Sequence, residues 1–296
     1  MRRWYVIAAP YFWLLLFFLI PFFIVFKLSL SDVATAIPPY TPTLDLSGGL
    51  AAFTAFFSGL DFENYSFIFG DPLYVSAYWS SVKIAAAATA LTLLIAYPIA
   101  YGMARAPKAW QSTLMMLVIL PFWTSFLIRI YAWIGILKKE GLLNQFLMNL
   151  GMISEPLNIM NTTWAVYIGI VYSYLPFMIL PLYSSLEKIN PSLLEAAEDL
   201  GSRPWKAFWQ VTFPLSLPGV FAGCLLVFIP AVGEFVIPDL LGGSETLMIG
   251  KTLWNEFFNN RDWPVSSAVA VILLLVLVIP IVLFQRQQQL EREAGR

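Results

Sequence analysis

Long stretches without a charged residue dominate this chain of 296 residues, in which apolar residues make up 59% and charged residues only 12%. An α-helix rises about 1.5 Å per residue, so roughly 20 apolar residues span the hydrocarbon core of a bilayer. The apolar stretches of this length do not alternate apolar and polar residues, as the strands of a membrane barrel do. We therefore predict six transmembrane helices, at residues 4–28, 84–104, 109–137, 163–186, 207–238 and 263–285.

The predicted architecture is an all-α integral membrane protein in which residues 1–296 form a single transmembrane domain. Arg2 and Arg3 precede the first apolar stretch, as in a secretory signal. That stretch is longer than the apolar core of a signal peptide, and no small-residue cleavage site follows it. We expect a retained first helix, followed by a long outer loop at residues 29–79. A loop of this size is uncommon without a function, and docking of a binding protein is one such function.

The distribution of basic residues predicts the orientation of the helices. Lys and Arg are concentrated at both termini and in the connections between spans two and three and between spans four and five, where Arg105, Lys108, Lys188, Arg203 and Lys206 lie. Short loops rich in basic residues stay on the cytoplasmic side. We therefore expect both termini in the cytoplasm.

Several kinds of chemistry are excluded by composition. The chain has one cysteine, Cys224, so it forms no intrachain disulfide, and it has no histidine, the commonest metal ligand. It also lacks a phosphate-binding loop motif and a nucleophile with an adjacent base. We predict no catalytic residue, no metal site and no cofactor in this chain, and we expect no nucleic-acid partner.

One polar connection, residues 187–211, lies between the fourth and fifth spans. Asn190 before Pro191 is typical of a helix start, and Gly201 suits the left-handed residue that ends a helix. Pro204 then begins a second helix. The first of these helices offers two alanines as a shallow surface and three acids for orientation: Glu195, Ala196, Ala197, Glu198 and Asp199. Two interpretations are open, a capped helix at the membrane interface and a docking helix for a soluble partner.

The pattern in this connection resembles the EAA loop of ABC importer permeases. It consists of Glu195-Ala196-Ala197, then Gly201, then Val211-Thr212-Phe213-Pro214. Val211 and Phe213 stand where the common pattern prefers isoleucine and leucine. The resemblance implies a type I, MetI-like permease core with a cytoplasmic coupling helix that docks onto a separate ATP-hydrolysing subunit.

The resemblance extends across nearly the whole chain. The segments AIPPY at Ala36–Tyr40, PFWTSFLIRIYAW at Pro121–Trp133, PAVGEFVIP at Pro230–Pro238 and EFFNNRDWP at Glu256–Pro264 are similar to PotH-type permeases of putrescine uptake systems. This implies a bacterial inner membrane importer with a second, PotI-like permease, two copies of a PotG-like ATPase and a PotF-like periplasmic binding protein. The complex would be a polyamine-transporting ATPase, with ATP and Mg bound by the partner ATPase.

A polyamine carries ammonium groups, so its path should offer a carboxylate and aromatic faces, whose cation–π contacts contribute about 0.5 to 2 kcal/mol each. Glu234 is the only acid within the predicted spans. Counted from Pro214 at about 1.5 Å per residue, it lies roughly 30 Å along the fifth span, near the outer gate. Arg129 falls at a similar depth by the same count. Contact of Glu234 with cargo and a structural pair between Glu234 and Arg129 are both open.

Further candidates for the path come from the third, fourth and fifth spans. Tyr174 falls near the midplane, roughly 16 Å into the fourth span, where its hydroxyl needs a polar neighbour. The aromatic residues of the third span line the path or anchor the helix at the interface. Gly219 and Gly223 allow close helix packing. The remaining candidates for the substrate path are Trp123, Tyr131, Trp133 and Asp239.

Two alternative functions remain at this stage. A type I permease for another small cargo, such as ferric iron or an amino acid, would keep the docking helix. A secondary carrier would have inverted repeats and broken helices, and the sequence has no convincing pair of them. The sequence does not distinguish putrescine from spermidine as cargo.

Overall fold

The computed structural model describes residues 2–43, 49–244 and 246–294. The chain divides into two compact units, one formed by Met1–Tyr78 and Ile249–Ile279 and the other by Trp79–Met248 and Pro280–Arg296. Within these described residues, five helices are long and apolar enough to cross a membrane, or six if a sharply bent pair counts as one span. The prediction of a single domain stays a prediction.

The first span is apolar on every side. Helix α1 (Arg2–Leu14) continues through a π-helical turn (Leu15–Leu19) into α2 (Ile20–Ser29). Within the membrane-length part, Ile7–Ser29, only 6% of the residues are buried in the protein. A helix that is hydrophobic all round and not covered by protein is suited to contact with lipid.

The connection after the first span is shorter than predicted. It contains a two-stranded antiparallel ribbon and two short helices: β1 (Asp32–Val33), β2 (Tyr40–Thr41), α3 (Gly49–Ser58) and α4 (Glu63–Gly70). Helix α5 (Pro72–Arg105) begins well before the predicted start of the second span, so the predicted loop end at residue 79 is wrong. The cause is local, because Asp71 Oδ1 accepts the N–H of Leu73 at 2.8 Å and Pro72 occupies the first helical position.

The third span is broken. Helix α6 (Lys108–Ile119) ends in a 3₁₀ turn (Leu120–Trp123), and α7 (Phe126–Leu137) follows. The segments Lys108–Trp123 and Phe126–Asn149 meet at an angle of 89°, so the prediction of a continuous helix over residues 109–137 is wrong. Pro121 lacks an N–H, and Thr124 at the end of the turn is extended, with ψ 150°. The predicted depth of Arg129 assumed a straight helix; the break contradicts that assumption, and the depth itself stays a prediction.

The fourth and fifth spans form the main helix pair of the second unit. After α7 come α8 (Leu142–Asn149), α9 (Thr163–Leu186), α10 (Ser192–Asp199), α11 (Pro204–Ala207), a π-helical turn (Phe208–Thr212) and α12 (Phe213–Val232). Helices α9 and α12 pack closely around two glycines. A Cβ at Gly219 would lie 2.7 Å from the Pro181 carbonyl oxygen, and one at Gly223 would lie 2.6 Å from Met178 Sδ. Only glycine permits this approach of the two backbones.

The fifth span ends earlier than predicted. Helix α12 stops at Val232, and α13 (Val236–Leu240) is a separate short helix, so the predicted span of 207–238 is wrong at this end. Glu234 therefore lies in the turn between two helices and not within a span. A hydropathy window does not detect this turn, because the residues on both sides remain apolar.

The last part of the chain consists of α14 (Ile249–Trp254), a π-helical turn (Asn255–Asn259) and α15 (Trp263–Ala294). Asp262 Oδ1 accepts the N–H of Val265 at 3.0 Å and so caps α15. Burial raises the pKa of the Asp262 carboxyl above its usual value. Nearby, the Tyr74 hydroxyl donates to Glu256 Oε1 at 2.9 Å, which gives this unit a paired carboxylate.

Candidate functional site

A cavity of about 600 Å³ lies where α7, α9 and the end of α12 come together, and we call it the Glu234 cavity. The break in the third span and the turn after α12 shape it. Aromatic and aliphatic side chains form most of its wall, and a few polar groups face them. Its lining consists of Phe122, Phe126, Arg129, Ser173, Tyr174, Phe177, Pro230, Gly233, Glu234, Phe235 and Val236.

Glu234 is a buried carboxylate held by its own chain, with 7% of its surface exposed. Its Oε2 accepts the Tyr174 hydroxyl at 2.5 Å. Its Oε1 faces the first backbone N–H groups of α13, with distances of 3.1 Å to Phe235 N, 3.0 Å to Val236 N and 3.4 Å to Ile237 N. Hydrogen bonds of this kind stabilise the ionised carboxylate away from bulk water. One oxygen is thus fixed by several backbone donors and the other by a single hydroxyl.

Tyr174 connects this carboxylate to an aromatic wall. Its ring lies 6.0 Å from that of Phe177, and Phe177 meets Phe122 edge to face at 5.2 Å. The sequence predicts a polar neighbour for the Tyr174 hydroxyl, and in the structure that neighbour is Glu234. The faces of these rings offer cation–π contacts next to a carboxylate.

Arg129 lines the same cavity but does not use Glu234 as a partner. It is buried, with 9% exposed, and its guanidinium carbon lies 5.5 Å from the Phe122 ring centre and 5.7 Å from that of Phe126. Its Nε and Nη1 atoms have no hydrogen-bond partner among residues 2–43, 49–244 and 246–294. The structure therefore brings Arg129, Tyr174 and Glu234 to one cavity, and the hydrogen-bond partner of Glu234 is the tyrosine.

Sequence reasoning missed part of this cavity. Ser173 is 3% exposed, and its Oγ has no hydrogen-bond partner in the described part of the chain. Phe122, Phe126 and Phe177 contribute most of the aromatic wall. A hydroxyl next to Tyr174 in an otherwise apolar span was the available signal for Ser173. The phenylalanines carry no such signal, because they are as common on lipid-facing surfaces as on cavity walls.

The other residues predicted for the substrate path do not line the Glu234 cavity. Trp123 has 73% of its surface exposed and Tyr131 has 59%. Trp133 packs edge to face on Tyr172, with ring centres 5.3 Å apart. Asp239 is exposed on α13. Their contact with cargo stays a prediction.

The polar connection after α9 forms the helix that its sequence predicts. Asn190 Oδ1 accepts the N–H of Ser192 at 3.1 Å and so caps the start of α10. At the other end Gly201 has a φ of 82°, its N–H bonds to Glu198 O at 2.8 Å, and the N–H of Ser202 bonds to Ala197 O at 2.9 Å. This pair of bonds is a Schellman motif, so the backbone of α10 is completed at both ends.

The side chains of α10 point outward. Its acids, Glu195, Glu198 and Asp199, are exposed together with Ala196, while Ala197 is half-buried. Leu193 has 46% of its surface exposed, and Leu200, just beyond the helix, has 88%. An aromatic cluster follows at the start of the fifth span, with Trp205 and Trp209 5.7 Å apart and both near Phe208. The surface of α10 is therefore partly acidic and partly apolar, and an aromatic cluster follows it in the chain.

Carboxylates gather at one further place. Ligand oxygens of Asp32, Asp61 and Glu63 lie within 4.8 Å of one another, and all three side chains are exposed. Exposed acidic groups of this kind are common without a bound ion. The Glu234 cavity and α10 are therefore the two candidate functional sites, the first suited to holding an ion and the second to contacting a partner.

Comparison with known proteins gives the family. A family model described as "Binding-protein-dependent transport system inner membrane component" matches residues 96–290. The chain is 41% identical over 284 residues to the spermidine/putrescine transport system permease protein PotB of Haemophilus influenzae, covering 96% of this chain and 93% of that protein. This relative is named PotB, whereas the segments quoted from the sequence resemble PotH-type permeases. Both are permeases of polyamine uptake systems, so the predicted family is confirmed.

Solved structures share the fold. A crystal structure of a bacterial ABC transporter involved in the import of the acidic polysaccharide alginate gives a TM-score of 0.63 at 15% identity, over 96% of each chain. An inward-facing structure of the MetNI methionine ABC transporter gives a TM-score of 0.53 at 17% identity, over 72% of this chain and 94% of that one.

Proposed function

The chain belongs to the family of binding-protein-dependent transport system inner membrane components, and from this premise we propose that it forms one half of the membrane path of an ATP-driven polyamine importer. The predicted fold class, an all-α type I ABC importer permease, is confirmed. The observation that carries the proposed cargo is the 41% identity, over nearly the full chain, to a permease named for spermidine and putrescine.

The Glu234 cavity suits a cationic cargo. Glu234 Oε1 is fixed by backbone N–H groups, so the carboxylate keeps its orientation. Its other oxygen, Oε2, can then exchange the Tyr174 hydroxyl for another donor. An ammonium group that displaces the Tyr174 hydroxyl from Oε2 replaces a neutral donor by a charged one, and charge-assisted hydrogen bonds are the stronger. The rings of Phe122 and Phe177 then offer faces to the same cation. Cargo contact at Glu234 and Tyr174 is proposed on this ground.

Helix α10 is proposed as the coupling helix. Residues Glu195–Gly201 would contact a separate ATPase, and closure of two ATPase copies on ATP would move this helix and with it α9 and α12. α10 contacts both α11 and the π-helical turn Phe208–Thr212, which continues into α12. A rigid, capped helix joined to a span in this way transmits a displacement along the chain.

Partners and orientation follow from the same proposal. Membership of the family implies a binding protein, a second permease and an ATPase as partners. We propose that these are PotF-like, PotI-like and PotG-like proteins, with ATP and Mg bound by the ATPase and none in this chain. We also propose that both termini lie in the cytoplasm, which places α10 on the side where ATP is available.

The test is transport by the assembled complex in proteoliposomes, with labelled putrescine supplied on the binding protein. We expect uptake that requires ATP, competes with spermidine and persists when the proton gradient is collapsed. Uptake that stops with the gradient while ATP is maintained would identify a secondary carrier. Uptake of an amino acid or ferric iron without polyamine uptake would identify a type I permease for another cargo.

A further inference from the structure

Arg129 is a buried basic side chain, and two of its three guanidinium nitrogens have no hydrogen-bond partner in the described part of the chain. The unpartnered nitrogens are Nε and Nη1, and a guanidinium can only donate hydrogen bonds. Buried charges are ordinarily paired, since an unpaired charge away from water is strongly unfavourable. The polar groups that satisfy Arg129 therefore come from outside the residues described.

The neighbours of Arg129 within the cavity do not replace such a partner. The faces of Phe122 and Phe126 attract the cation, yet ring contacts at 5.5 and 5.7 Å leave these N–H groups without an oxygen acceptor. Glu234 uses Oε2 for Tyr174 and Oε1 for the backbone of α13. The carboxylate of the cavity is thus already engaged, and the guanidinium is not.

Ser173 supplies a second, independent observation. Its hydroxyl is buried and without a partner in the described residues, although a helical serine commonly bonds back to the carbonyl four residues earlier. It lines the same cavity as Arg129. Two guanidinium nitrogens, Nε and Nη1, and one hydroxyl are donors without an acceptor in the described part of the chain. A negatively charged acceptor with more than one oxygen, such as a carboxylate, is the complement of these donors.

We propose that Arg129 and Ser173 form a binding site for a carboxylate group. The carboxylate comes either from an acidic side chain of the second permease subunit or from a small free carboxylate in solution. Either source neutralises the guanidinium, so that a cation near Glu234 meets no uncompensated positive charge. The site itself does not depend on the identity of the cargo.

Acetate binding to the purified full-length chain in a non-ionic detergent tests the site. The probe is the acetate methyl signal in saturation-transfer NMR, titrated to saturation. We expect Arg129→Gln to weaken acetate binding about tenfold or more, because it removes charge-assisted bonds. Ser173→Ala should weaken it about threefold. Arg203→Gln, a change at an exposed arginine outside the cavity, is the matched control and should leave binding unchanged.

The source of the carboxylate is decided by repeating the titration on the chain purified with its second permease subunit. Unchanged acetate affinity indicates a free carboxylate, and loss of acetate binding indicates that a side chain of the partner occupies the site. The proposal is overturned if acetate does not saturate the wild-type chain, as in a cavity filled by water, or if it binds wild type and Arg129→Gln alike. If Arg129→Gln aggregates, Arg129→Lys, which keeps the charge without the fork, decides by the same criterion.

Discussion

The Glu234 cavity and helix α10, the proposed coupling helix, belong to the same unit of the chain, but their carboxylates lie in opposite environments. Glu234 is buried and bonded to Tyr174 and to the backbone of α13. The acids of α10 are exposed. A buried charge must be satisfied within the protein, whereas an exposed charge is satisfied by water until a partner arrives.

The contrast in burial indicates which site depends on this chain alone and which depends on a partner. The cavity holds a carboxylate in a fixed orientation, so the proposed selectivity for a cation would come from this chain. α10 completes its backbone hydrogen bonds at both ends and leaves Leu193 and Leu200 exposed beside its acids. The backbone hydrogen bonds of α10 are thus satisfied within the chain, but apolar side chains on its surface are not covered. Exposed apolar surface of this kind is typical of a helix that contacts a partner.

The largest effect is expected at the end of α10. Gly201→Val should reduce polyamine uptake to background while the amount of permease in the membrane is unchanged. Gly201 has a φ of 82°, and a β-branched residue there costs about 1 to 3 kcal/mol and breaks the cap. A Cβ at this position meets no atom within 4 Å, so the effect arises from the backbone and not from a clash. Uptake in proteoliposomes and immunoblotting of membranes measure the two quantities.

Gly201→Asn is the matched control, because asparagine adopts the left-handed conformation more readily than valine. It should retain most of the uptake. A valine variant that transports normally would remove the coupling role from this helix and leave the cavity as the only functional site of the comparison.

A large but smaller effect is expected at Glu234. Glu234→Gln keeps the size of the side chain and one oxygen acceptor but removes the charge that attracts an ammonium group. Uptake should fall about tenfold or more, as expected for loss of a charge-assisted hydrogen bond. Glu256→Gln is the matched control, since Glu256 also accepts a tyrosine hydroxyl, that of Tyr74 at 2.9 Å. Equal uptake by Glu234→Gln and wild type would contradict cargo contact at the cavity.

Tyr174→Phe distinguishes the contribution of the Tyr174–Glu234 hydrogen bond to stability from the contact of Glu234 with cargo. The variant loses the 2.5 Å bond to Glu234 Oε2 and leaves a buried carboxylate oxygen without its donor. We expect a loss of about 1 to 3 kcal/mol in the free energy of unfolding, seen as a lower thermal midpoint. Uptake should fall only severalfold because the carboxylate remains. Tyr172→Phe on the same helix is the control, and a midpoint equal to that of this control would show that the hydrogen bond contributes nothing.

Helix α10 and its caps were predictable because their signals are local in sequence. Asn190 and Gly201 act on backbone groups within a few residues of themselves, so their types and spacing specify the helix and its caps. The motif that resembles the EAA loop begins within this helix at Glu195 and includes Gly201. The match between the predicted fourth span at 163–186 and helix Thr163–Leu186 has a similar origin, since both ends are marked by polar residues.

The Glu234 cavity could be predicted only in part. Glu234 and Tyr174 were identifiable as polar groups in apolar surroundings, but their hydrogen bond depends on the end of α12 at Val232. The position of Arg129 depends on the break near Thr124, where apolar residues continue on both sides. Helix breaks inside an apolar sequence change the geometry without changing the hydropathy, so the assumption of straight helices was wrong there.

The smallest effect is expected at the start of α10, and it sharpens the contrast between the two sites. Asn190→Ala removes the acceptor for the Ser192 N–H and should cost about 0.5 to 2 kcal/mol, confined to the first turn of the helix. Amide hydrogen exchange should quicken at the start of α10 and stay unchanged in α13 beside the cavity. Asn190→Asp, which keeps the cap, should exchange like wild type. Faster exchange in α13 as well would mean that the local stabilities of the two sites are coupled. The distinction between a cavity stabilised within this chain and a helix that contacts a partner would then not hold.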